Sequence, residues 1–94
     1  MDWLFQESPN TAVFTSKEVI DDHADICLVY HDDDGSWQFH SANGAPDRIE
    51  CARVVSMSTI MRLDESIADL HDLPLGWRAW RSGPTDPWKR ERIG

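Results

Sequence analysis

The chain predicts an α+β fold, a small single domain of mainly antiparallel sheet with two or three short helices. Three observations lead there. Ninety-four residues, 40% hydrophobic and 28% charged, are enough for one core and little more. A continuous apolar run, Ile26-Cys27-Leu28-Val29-Tyr30, is joined by Asp32-Asp33-Asp34-Gly35 to the alternating segment Ser36-Trp37-Gln38-Phe39-His40, the pattern of an antiparallel hairpin. Apolar residues at helical spacing recur only in short stretches, at Val19, Ile20 and His23 and again at Met57, Ile60 and Met61.

Residues 1–10 read as a flexible N-terminal arm and residues 11–94 as the domain. Ser8-Pro9-Asn10 marks a turn, and residues 11–14 a short strand centred on Val13 and Phe14. Thr15 followed by Glu18 fits a capping box, which starts a helix over residues 16–23. The run at 26–30 predicts a central strand covered on both faces. In the next strand Trp37 and Phe39 share one face, Gln38 and His40 the other. Asn43-Gly44 and Pro46 make residues 41–50 a surface loop, and residues 52–56 form a third sheet segment. Ser56 or Ser58 caps the following helix, and Asp64-Glu65-Ser66 restarts a helical turn with Ile67, Leu70 and Leu73 inward. Pro74 and Gly76 stop it. Residues 77–81 then read as a last strand, which sends Trp77 and Trp80 to opposite faces, and Trp88 folds back onto the domain.

The formal net charge of −8 is unevenly spread. Up to Gly76, fifteen acids stand against four Lys and Arg, a balance of −11; from Trp77 onward five bases face two acids, a balance of +3. An acidic surface repels phosphate backbones, so no nucleic-acid partner is expected. No apolar run approaches the roughly 20 residues of a membrane span, so no membrane is expected either. The N-terminus lacks the basic start and apolar stretch of a secretion signal, which points to the cytoplasm. Cys27 and Cys51 have no C-x-x-C spacing and read as free thiols.

No cofactor is expected, because phosphate-binding glycine loops and dinucleotide fingerprints are missing. Asp32-Asp33-Asp34-Gly35 lacks the ligand spacing of a calcium loop and reads as a solvated turn. His23, His31, His40 and His71 show no metal-ligand spacing, and His23 and His71 suit helix C-termini. Ser16, Ser56 and Ser58 read as helix-start residues rather than nucleophiles. The chain is therefore expected not to be an enzyme.

The stretch from Gly76 to Trp88 packs three of the five tryptophans among arginines, glycines and prolines. Tryptophan anchors cores and partner surfaces alike, so two readings stand: a tail clamped over the core, or an aromatic, arginine-rich patch for a protein partner. The candidate partner-binding residues are Asp32, Asp33, Asp34, Trp77, Arg78, Trp80, Arg81 and Trp88. An outward tryptophan on a short edge strand is also compatible with a homodimer.

Phe14-Thr15-Ser16-Lys17, Val29-Tyr30-His31-Asp32, Gly35-Ser36-Trp37-Gln38-Phe39, Ala52-Arg53-Val54-Val55-Ser56, Leu73-Pro74-Leu75-Gly76-Trp77-Arg78-Ala79-Trp80-Arg81 and Pro87-Trp88, in that order, resemble the immunity-protein-33-like domain family of bacterial polymorphic toxin systems. The likeness covers residues 11–91. It implies an α+β fold and a protein that binds and neutralises a toxin, although members also occur where no toxin is encoded; it implies no catalytic residues. The 41–50 loop and the tryptophan-bearing arm depart from the family pattern. An acidic inhibitor suits basic toxins, because complementary charge raises association rate and specificity. Two other expectations stand beside it: a small structural or regulatory module without a toxin partner, and a metal-dependent hydrolase using His31, His40 and the aspartates.

Overall fold

Residues 3–93 are described by the computed structural model. Strand β1 (Ala12–Ser16) runs into helix α1 (Lys17–Asp21), followed by the hairpin of β2 (Leu28–His31) and β3 (Trp37–His40). A 3-10 turn (Ile49–Cys51) leads into β4 (Ala52–Ser56), helix α2 (Met57–Leu63) and a 3-10 helix (Glu65–Leu70). Strands β5 (Trp77–Trp80) and β6 (Lys89–Arg92) finish the chain. The six strands form one sheet in the order β4-β1-β3-β2-β5-β6, in which only the β1–β3 pair is parallel. The fold is thus α+β with a mainly antiparallel sheet.

The hairpin forms as its residues dictate. Leu28 opposes His40, and His31 opposes Trp37. Gly35 closes the turn at φ 92, its N–H donating to the Asp32 carbonyl, while Ser36 donates its own N–H and hydroxyl to the Asp34 carboxylate. Inward-pointing residues of four strands (Val13, Val29, Trp37, Phe39 and Ala79) are buried beneath Val19, Met57, Ile60, Ile67, Leu70 and Leu73. Burying an aromatic such as Trp37 or Phe39 contributes roughly 1.5–3 kcal/mol. Ser56 accepts the Thr59 N–H at the start of α2, and Asp64 accepts the Ser66 N–H at the start of the 3-10 helix.

The described part of the arm packs against the core, whereas the capping box, the extent of the first helix and the place of the last strand need correcting. Phe5 is buried edge-on against Trp37 with ring centres 5.2 Å apart, the Trp3 indole donates to the Glu7 carbonyl, and the Trp37 indole donates to the Glu7 carboxylate. Burial of Phe5 and packing of Trp3 against the core offset part of the cost of ordering this backbone. Residues 1 and 2 lie outside the described part.

The capping box does not form. Thr15 is a strand residue with its hydroxyl buried and unpartnered, Ser16 is the N-cap but sends its hydroxyl to His40, and Glu18 accepts from Ser41. With Val19 its only buried residue, α1 lasts about one turn and ends before His23, which sits at φ 56. Residues 77–80 are not the last strand: β6 pairs along β5 through Trp80↔Lys89 and Trp77↔Arg92. Lys-Arg-Glu-Arg shows no apolar alternation, and the strand is held instead by Arg78 to Glu91 and Arg90 to Asp72. β5 is therefore internal to the sheet and offers no edge for a homodimer.

The true edges of the sheet are β4, capped at Ala52, and the charged β6. The Met57 N–H donates to the Thr11 carbonyl, and the antiparallel alternation from that bond turns the backbone groups of Ala52, Val54 and Ser56 outward. The outward groups of Ala52 are already used, its N–H by the Ile49 carbonyl and its carbonyl by the Arg53 guanidinium. The β6 edge is lined with charge, a known block to edge-to-edge pairing.

Candidate docking face

The helices and the arm cover one face of the sheet and leave most of the other open, although Ser16 and His40 on it are buried beside the Gly44 loop. By strand alternation and register, one row across that face reads Val54, Phe14, Gln38, Tyr30, Arg78 and Glu91, and a second reads Ser16, His40, Leu28, Trp80 and Lys89. Phe14 is 46% exposed and Val54 62%. They oppose each other directly in a non-hydrogen-bonded pair, where side chains stand closest. Leu28, Tyr30 and Trp80 are half-buried, and the Arg78 guanidinium lies over the Trp80 ring at 5.5 Å while pairing with Glu91.

A polar chain runs through the middle of this face. Gln38 donates its amide N–H to Asp32 at 2.7 Å, so its carbonyl oxygen faces His40 Nε2 at 2.9 Å. His40 must then carry its proton on Nε2, which leaves Nδ1 to accept from the Ser16 hydroxyl at 2.7 Å. Burial pushes the His40 imidazole below its ordinary pKa, against the opposing pull of Glu18 and Asp32. A serine beside a histidine is the geometry of nucleophilic catalysis. Here Ser16 is fully buried, with the Gly44 carbonyl 3.5 Å from its hydroxyl. The chain of bonds fixes the side chains of Ser16, His40, Gln38 and Asp32 relative to one another.

The structure separates the eight residues singled out in the sequence. Asp32, Asp33 and Asp34 sit in the β2–β3 turn at one end of the open face. Asp32 accepts from Gln38 and Ser36, Asp33 is exposed beside Gly76, and hydrogen bonds from Ser36 hold the Asp34 carboxyl below its usual range. Arg78 and Trp80 lie on the face itself. Trp77 points to the opposite face and packs against the core.

Arg81 is no surface residue. All five of its N–H donors are used: by the Ile26 carbonyl from Nε and Nη2, by Ser66 and the Pro84 carbonyl from Nη1, and by Asp64 from Nη2. Its guanidinium carbon lies over the Trp88 ring, 4.1 Å from the ring centre, so Trp88 clamps the tail over the core as the first of the two readings expects. Arg81 is buried and Trp77 and Trp88 pack inward, so none of the three lies on the open face, which carries Phe14, Val54, Tyr30, Leu28 and Gln38 beside Arg78 and Trp80.

His31 and His40 occupy opposite ends and opposite faces of the hairpin, so they cannot share an ion. His31 stacks on Trp37 at 3.9 Å and donates through Nδ1 to the Leu73 carbonyl. Among the described residues no group of three or more His, Cys, Asp and Glu stands together as a metal site would require. No described helix is long and apolar enough to cross a membrane. Comparison with protein-family models, with curated proteins and with solved structures finds no match to this chain.

Proposed function

We propose that the chain is a non-catalytic protein-binding domain that docks its partner on the open face of the sheet, the partner being a toxin of the kind the family resemblance implies. The observation that carries the docking is the exposed Phe14–Val54 pair continued by Tyr30, Trp80 and Arg78. Tyr, Trp and Arg dominate binding energy at protein interfaces, and a contiguous apolar patch on a small domain marks a contact surface. At one end the exposed carboxylates of Asp33 and Asp34 form an acidic rim. With a net charge of −8, that rim favours a basic partner and speeds its approach.

The test mixes the purified chain with purified toxin domains encoded beside its gene, measuring complex size by light scattering and toxin activity in parallel. One of them is expected to form a complex and lose its activity. Trp80→Ala is expected to weaken that complex by about 2 kcal/mol, whereas Leu75→Ala, at an exposed apolar residue away from the face, leaves it unchanged. Failure of every neighbouring toxin to bind ends the toxin assignment. A complex indifferent to both Trp80→Ala and Phe14→Ala moves the docking elsewhere.

A further inference from the structure

We infer that the β4 edge takes up an extended segment of the protein partner as a further strand of the sheet. The inference rests on the protein-binding reading and carries the same partner's contact from the open face onto the strand that borders it, so a single occupant meets both.

Backbone geometry carries it. β4 has β1 on one side and no strand on the other. Phe14 and Val54 form a non-hydrogen-bonded pair, so the N–H and carbonyl of Val54 point away from the sheet, as does the N–H of Ser56. The cap over this edge ends at Ala52, whose N–H meets the Ile49 carbonyl and whose carbonyl meets Arg53. The opposite edge differs. There Lys89, Arg90 and Arg92 surround Glu91, and such charges resist a further strand. At β4 the side chain beside the outward groups is apolar: Val54 is 62% exposed, and Ile49, in the turn that ends at this edge, is 90% exposed.

A donor and an acceptor set along one line at strand spacing are met in full by another polypeptide backbone, which names the class of occupant. Side chains then say what that segment carries. A residue opposite Val54 continues the row of Val54 and Phe14 and covers the first of them, which suits a β-branched or aromatic residue. The net charge of −8 favours lysine or arginine at the positions between. The segment is thus basic and alternating.

The probe is a short peptide of alternating valine and lysine, blocked at both ends and titrated to about 5 mM into the isotope-labelled full chain. The amide signals of Val54 and Ser56 are expected to shift, and their hydrogen exchange to slow about threefold or more. Methylating the peptide nitrogens that face β4 removes its donors and should abolish both effects. Val54→Pro deletes an outward N–H without breaking a bond to β1, and is expected to weaken binding about tenfold or more once circular dichroism shows a native fold. Val54→Thr keeps the backbone groups and should change binding by less than about threefold. Unmoved Val54 and Ser56 signals, or a methylated peptide that binds equally, overturn the inference. A toxin complex weakened by Trp80→Ala and Phe14→Ala but not by Val54→Pro also removes the added strand, while leaving docking on the face in place. Peptide binding at Val54 with no toxin partner found keeps the strand and ends the toxin assignment alone.

Discussion

Arg81 shows how a residue chosen for its charge can belong to the interior. Its side chain is 1% exposed, and its fork joins the segment before β2, the 3-10 helix and the loop before β6. A lysine in its place would offer three donors in another geometry and no planar surface for Trp88. Arg81→Ala leaves the Asp64 carboxylate and the Ile26 carbonyl without their partner. The expected loss is about 3–5 kcal/mol in urea unfolding. A loss under about 1 kcal/mol would mean that the fork is a surface contact after all. Only the planar contact with Trp88 had a local signal, the crowding of arginine and tryptophan in one stretch. The carbonyl partner is 55 residues away in sequence, and no periodicity reports that.

At the scale of elements, what was legible followed local chemistry. Turn residues and two-residue alternation determine the hairpin, and Ser56 and Asp64 announce the helical starts they cap. β6 was hidden because its four residues are all charged and its pairing depends on Glu91 reaching Arg78 across the sheet. The open face was hidden for a related reason: Val13 and Phe14 are both apolar, so adjacent residues gave no clue that one is buried and the other faces out. The turn into β5 carries its own constraint. Gly76 sits at φ 79, and a Cβ there would come within 2.6 Å of Asp33 Oδ1. Gly76→Ala should therefore lower stability by about 1–3 kcal/mol in thermal melts. In an Asp33→Ala background the same substitution should cost less, since only the backbone conformation is then strained. Equal losses in both backgrounds would show that the Asp33 carboxylate is free to move away.

For the whole molecule, burial and hydrogen bonding set the pH range of stability. Burial lowers the His40 pKa from 6.5, so the unfolded chain takes up this proton more readily than the native one. The stability owed to neutral His40 is present above pH 6.5 and is lost as pH falls below it. Burial raises the Cys27 pKa from 9.0, so stability also declines as pH climbs above 9.0. Asp34 and Asp72, both lowered from 3.8 by hydrogen bonds from Ser36 and Arg90, act in a separate acid window near and below that value. Urea midpoints should accordingly be flat between pH 6.5 and 9.0 and fall on both sides. His40→Asn should flatten the first acid shoulder, and an unchanged shoulder would assign it to another group.

Cys27 and Cys51 also differ in access, the first buried and the second half-exposed. An alkylating reagent added to the native protein meets one sulfur at once and must wait for the other. The delay at Cys27, whose carbonyl accepts the Arg81 backbone N–H, is a clock that ticks each time the strand margin behind it opens. The rate at which Cys27 is modified reads how often this molecule opens.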